Sequence, residues 1–108
     1  MPQYMLQFAY TPETWAALTA NPVDRSEPVR ALAQKFDGRL IDLYYTMGEY
    51  DGVAIIEVPD DVSAMAFVLA ATAPGHLRAT RTTRLMPPEE AVQAMQKARG
   101  IGYTAPGR

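Results

Sequence analysis

Apolar and polar positions alternate from Gln3 to Tyr10, with Tyr4, Leu6, Phe8 and Tyr10 on one side and Met5, Gln7 and Ala9 on the other. That period of two predicts a half-buried strand. Thr11-Pro12-Glu13 then offers a cap hydroxyl, a first-turn proline and an early acid, the start of a helix running through Trp15 and Leu18. Asn21-Pro22 interrupts it. Ser26-Glu27-Pro28 restarts a helix whose Val29, Leu32, Ala33 and Phe36 fall on one stripe, and Asp37-Gly38 ends it. Alternation returns from Arg39 to Met47, with Ile41, Leu43, Tyr45 and Met47 opposite Leu40, Asp42, Tyr44 and Thr46. It resumes from Val53 to Val58, where Ala54, Ile56 and Val58 oppose Val53, Ile55 and Glu57. Gly48-Glu49-Tyr50-Asp51-Gly52 joins these two strands as a hairpin.

Pro59-Asp60-Asp61 caps a further helix with a stripe of Val62, Met65, Ala66, Leu69, Ala70 and Ala73. Phe67 and Val68 lie off that stripe, so the helix needs cover on two sides. Pro74-Gly75 stops it, and the threonine-rich stretch from His76 to Met86 reads as extended. Pro87-Pro88-Glu89-Glu90 opens a last helix with Ala91, Val92, Met95 and Ala98 as its apolar positions. Residues 1–100 form one domain in this reading, and residues 101–108 a flexible tail.

The order strand, helix, strand, strand, helix, strand predicts an α+β, ferredoxin-like βαββαβ sandwich: a four-stranded antiparallel sheet with the helices on one face, plus a C-terminal helix. The other sheet face is assigned Gln7, Leu40, Asp42, Tyr44, Val53, Ile55 and Glu57. So much apolar surface predicts burial against a second copy, a homodimer of the α+β barrel kind.

The segment Leu43 to Asp61, LYYTMGEYDGVAIIEVPDD, resembles the signature of the GYD domain family, with Gly48, Tyr50 and Asp51 matching its Gly-x-Tyr-Asp turn. The likeness extends to Thr11-Pro12-Glu13, to Val29-Arg30-Ala31-Leu32-Ala33 and to Pro88-Glu89-Glu90. It implies a bacterial, ferredoxin-like, dimeric α+β barrel-type protein of unassigned biochemical role. At the last strand this chain has Gly75-His76-Leu77-Arg78-Ala79 in place of the family's Gly-Asn-Val-Arg-Thr type of entry, so no role is carried over to that strand.

Composition narrows the chemistry. The 108 residues are 48% hydrophobic, enough for one core. Ten basic against twelve acidic residues, a formal charge of -2, provide no global field for nucleic acid or an anionic membrane, and neither is expected as a partner. Without cysteine there is no thiolate nucleophile and no cysteine-based metal site. No signal segment and no long apolar run is evident, so a soluble, cytoplasmic protein is expected. No dinucleotide, P-loop, zinc-protease or Ser-hydrolase motif occurs, so no cofactor is expected.

Three groups of residues could bind a ligand. Tyr44, Tyr50 and Asp51 belong to the densest polar and aromatic cluster, and a phenol beside a carboxylate could polarise a carbonyl, although glycine, Asp and Tyr are equally the residues of a tight turn. His76, the only histidine, could act as a general base near neutral pH, but a lone His with no cysteine does not predict a metal site. Arg78 and Arg84, placed by alternation on one strand face, could grip a carboxylate or phosphate, or could pair with Asp42 or Glu57 on neighbouring strands. Two functional readings follow: a homodimer that binds a small molecule or simply buries its sheet, or a cofactor-free enzyme of the monooxygenase or isomerase kind. The enzyme requires His76, Tyr44 or Asp42 to converge on one point.

Overall fold

A computed structural model describes residues 1–107 of the chain. The elements are β1 (Gln3–Tyr10), α1 (Pro12–Ala20), α2 (Ser26–Lys35), β2 (Arg39–Tyr45), β3 (Gly52–Glu57), α3 (Asp61–Thr72), β4 (Leu77–Leu85) and α4 (Pro88–Ala98). The caps are those that the sequence predicts. Thr11 Oγ1 accepts from Thr14 N at 3.2 Å at the start of α1, and an Asp60 carboxylate oxygen accepts from Ser63 N at 2.8 Å at the start of α3. The strands form one sheet in the order β2-β3-β1-β4, every pair antiparallel. This is the ferredoxin-like arrangement, with the first crossover helix broken in two at Asn21-Pro22.

The core lies between the sheet and α2 and α3. Tyr4, Leu6, Ala54 and Ile56 from the strands and Val58 just past β3 meet Ala33 of α2 and Ala64 and Phe67 of α3, with Ile56 and Val58 sealed from solvent. Two expectations need correcting. The face of α3 that packs inward carries Ala64, Phe67 and Val68, not the stripe read from the sequence, and Val62, Met65 and Leu69 are 78%, 59% and 56% exposed. Nearly every position of this helix is apolar, so periodicity selects no single face. The large Phe67 ring and the small Ala64 beside it let the helix approach the sheet.

The second correction is a bulge in β2. Leu40 pairs with Ile56 and Asp42 with Ile55, so Ile41 is the extra residue. Leu40 therefore turns into the core beside Leu43, while Asp42 and Tyr44 stay on the opposite face with Val53, Ile55, Met5 and Gln7. Leu40 does not belong to that face.

α4 buries none of its residues, with Val92 and Met95 47% and 66% exposed. The chain measures 58 × 35 × 21 Å with a radius of gyration of 17.7 Å, well above the about 13 Å of a compact domain of this length. Ile101 to Gly107 are exposed and carry no helix or strand, and Arg108 of the expected tail lies outside the described residues. Among the described residues no helix is long and apolar enough to cross a membrane.

The facing of α3 can be measured. Phe67→Ala should cost about 3–5 kcal/mol in chemical denaturation, and Met65→Ala about 0.5 kcal/mol or less. The reverse ranking would mean that the other face of α3 packs inward.

Candidate functional site

The hairpin between β2 and β3 is a turn whose polar members tie three elements together. Thr46 N donates to the Asp51 carbonyl at 2.8 Å, and Thr46 Oγ1 to the Tyr50 carbonyl at 2.7 Å, closing the loop. Asp51 N donates to the Phe8 carbonyl at 2.8 Å. One Asp51 carboxylate oxygen then accepts twice, from Tyr10 N at 2.9 Å and from Trp15 Nε1 at 3.0 Å. Here β3 no longer accompanies β1, and the carboxylate takes the place of a strand partner for the Tyr10 amide. Gly52 pairs with Phe8, and a Cβ there would run into the Phe8 ring.

The turn therefore supports an aromatic group. Phe8 and Tyr10 ring centroids are 5.4 Å apart, Tyr10 and Trp15 meet edge to face at 5.1 Å, and Tyr45 lies within 6.3 Å of all three. The Tyr10 and Tyr45 hydroxyls are 3.2 Å apart. Burial, then this hydroxyl contact, raise the Tyr10 phenol well above its ordinary pKa, so it stays protonated. His76 packs at the edge of the group, its ring 6.2 Å from Tyr10. Its carbonyl accepts from Thr11 N at 3.0 Å and from Thr14 Oγ1 at 3.2 Å, fixing it against the start of α1. Burial, and secondarily the charge of Arg25, lower the His76 pKa from 6.5 and keep the imidazole neutral at pH 7.

Tyr10 and His76 also face a cleft. Phe36, just past α2, meets Phe67 of α3, with ring centroids 6.5 Å apart, and the two helices leave between them a cavity of about 420 Å³ over the sheet. Its floor is Leu6, Phe8, Thr80 and Thr82; its walls are Val29 and Leu32 on one side and Val68 and Ala71 on the other; Tyr10, Arg25 and His76 are its polar end. An apolar trough of this size with few polar groups is the ordinary form of a small-molecule site.

The residues singled out from sequence do not converge. Only His76 among them lines the cleft. Asp42 and Tyr44 sit on the far face of the sheet at its opposite edge, both exposed, so the convergence with His76 that the enzyme reading requires does not occur. Tyr50 and Asp51 belong to the turn. Arg78 occupies an irregularity in β4, where Tyr10 pairs with Leu77 and Ala9 with Ala79, and it donates to the Glu49 carbonyl at 3.1 Å. Arg84, about 20 Å further along the strand, lies 3.5 Å from an Asp61 carboxylate oxygen, so neither arginine pairs with Asp42 or Glu57. Glu57 instead takes Arg39 at 3.0 Å. The arginines therefore form no joint clamp. Sequence reasoning passed over Arg25 and Lys35, the two cations of the cleft, because nothing in the Asn21-Pro22 break or at the end of α2 distinguishes them from solvated side chains. Among the described residues no three of His, Asp and Glu gather closely enough to hold a metal ion.

Comparison with known proteins places the chain. The family model described as GYD domain matches residues 4–95. No curated protein matches the sequence. Similar solved structures include MtbAldR (TM-score 0.59, 14% identity, 80% of this chain and 53% of that one). FFRP-DM1 gives 0.50 at 15% identity over 80% and 100%, and TTHA0845 from Thermus thermophilus gives 0.53 at 14% over 81% and 95%. The chain thus spans about half the length of MtbAldR. At these identities the likeness establishes the fold.

Two measurements test the site. Asp51→Ala should lower stability by about 1–3 kcal/mol in denaturant titration, because it leaves the Tyr10 amide and the Trp15 indole without their acceptor. For His76 the folded state resists protonation, so the unfolded chain binds more protons between the folded pKa and 6.5. The contribution of neutral His76 is complete above 6.5 and is lost as pH falls from there through the folded pKa. His76→Gln should flatten that part of the stability profile. The lowered pKa values of Glu57 and Asp60, set chiefly by the hydrogen bonds from Arg39 and Ser63, act only below their ordinary 4.5 and 3.8.

Proposed function

The chain belongs to the GYD domain family, and from that premise we propose that it is a homodimeric small-molecule-binding protein whose ligand occupies the cleft between α2, α3 and the sheet. The observation that carries this reading is the cavity itself: about 420 Å³, apolar along its length, with Tyr10, Arg25 and His76 gathered at one end. A largely apolar cleft of that size with a few polar groups at one end is the usual form of a ligand site. The site differs from the one suggested by alternation alone, because it lies on the helix side of the sheet. The open face has the other job, dimer contact. Its support is Met5, Val53 and Ile55, half-buried in the isolated chain, beside Tyr44 at 61% exposure. The uncovered Val92 and Met95 of α4 add apolar surface for a second copy to bury.

A second reading, a cofactor-free enzyme, draws on one observation: His76 is held neutral at the cleft, beside a protonated Tyr10 and a cationic Arg25. A neutral imidazole can take a proton from a bound ligand, and a nearby guanidinium can hold the negative charge that results.

Native mass spectrometry of gently purified protein separates these readings. A dimer carrying a retained organic mass is expected, with that mass absent from Ala71→Trp, whose indole fills the cleft. A retained mass that changes in His76→Gln, because unreacted substrate accumulates in place of product, would favour the enzyme. A bare single subunit would overturn the proposal.

A further inference from the structure

We infer that the cleft selects an apolar ligand bearing an anionic group, in its simplest form a carboxylate, with the anion held by Arg25. This deepens the preceding proposal and rests on the cleft being the binding site.

The chain carries more acids than bases, yet among the described residues the only charged side chains lining the cavity are Arg25 and Lys35, both positive. Neither takes part in an ion pair among the described residues. Those pairs use Arg30, Arg39 and Arg84 with Glu27, Glu57 and Asp61. Asp24, the nearest acid in sequence to Arg25, does not line the cavity, and its carboxylate accepts from Ser26 N at 2.8 Å. A cation beside an apolar wall, with no carboxylate opposite it, is a charge for which a ligand can supply the partner. The reduced local dielectric strengthens that pairing relative to bulk water.

Position favours Arg25 over Lys35 as the anchor. Arg25 is the N-cap residue of α2, where the positive end of the helix dipole adds to its charge, and it is half-buried; Lys35 is exposed at the other end of the helix, about 15 Å away. Its planar fork suits a carboxylate in two-point contact. His76 beside it adds a ring nitrogen that can donate a hydrogen bond to the same oxygen atoms. Val29, Leu32, Val68 and Ala71 then enclose the apolar body.

Calorimetric titration of the full chain at neutral pH with decanoate, decanol and decylammonium tests the inference. Decanoate should bind roughly tenfold or more tightly than decanol, a preference that shrinks as salt is raised, and decylammonium should bind weakest. Arg25→Gln should bring decanoate and decanol to near equality, while Arg25→Lys keeps part of the preference. Equal binding of the three in the native chain, or a preference unchanged in Arg25→Gln, overturns the anionic assignment but leaves the cleft as a binding site. Should Arg25→Gln fail to fold, a salt-insensitive preference in the native chain overturns it equally. Binding of none of the three removes both the cleft reading and this one.

Discussion

One carboxylate oxygen of Asp51 accepts from the Tyr10 backbone and from the Trp15 indole, and much of the molecule's arrangement follows from that pair of bonds. It joins the end of β1, the start of β3 and α1 at one corner. Without it, the last residue of β1 would lose its partner where β3 departs. The missing side chain at Gly52 is the complementary requirement, since the Phe8 ring lies across the space that a Cβ would take. A carboxylate and a glycine, adjacent in sequence, thus hold Phe8 and Tyr10 where they form one end of the cleft. The family's turn acts on the site through the residues it positions, while its own side chains stay outside.

The rest of the site comes from what the helices leave empty. Phe36, just past α2, meets Phe67 of α3, and beyond that contact the small side chains Ala70 and Ala71 leave the space over the sheet unfilled. The same packing turns Val62, Met65 and Leu69 outward, so the helix that lines the cavity also presents apolar surface to solvent. α4 adds more. A single chain of this shape leaves apolar surface on three sides, the open sheet face, the outer side of α3 and α4, and this is the surface that the proposed dimer would bury.

Much of the fold was legible in the sequence because its signals are local. Alternation marked β1, β2 and β3, side-chain oxygens marked the starts of α1 and α3, and the element order implied the sheet topology. The errors share a cause. A one-residue bulge at Ile41 reverses the facing of Leu40, and the irregularity at Arg78 separates it from Arg84; neither leaves a mark in hydrophobic periodicity. In α3 nearly uniform apolarity hid which face packs, and tertiary fit around Phe67 decided it. The cleft was invisible for a further reason: a cavity is a property of the space between elements, and Arg25, Thr80 and Ala71 share no pattern along the chain. His76 was found because it is the only histidine, although its partners were not those that alternation suggested.

Asp51 lies outside the proposed site and bears on it through Tyr10 and Trp15. The most direct test is the affinity of folded Asp51→Ala for decanoate, measured by calorimetry under conditions where the variant is fully native. Loss of the Asp51 anchor should let the Tyr10 and Phe8 rings wander and weaken binding several-fold, with Arg25 and the apolar walls intact. An affinity equal to that of the native protein would contradict this role of Asp51, leaving the turn as a hairpin closure unconnected to the cleft.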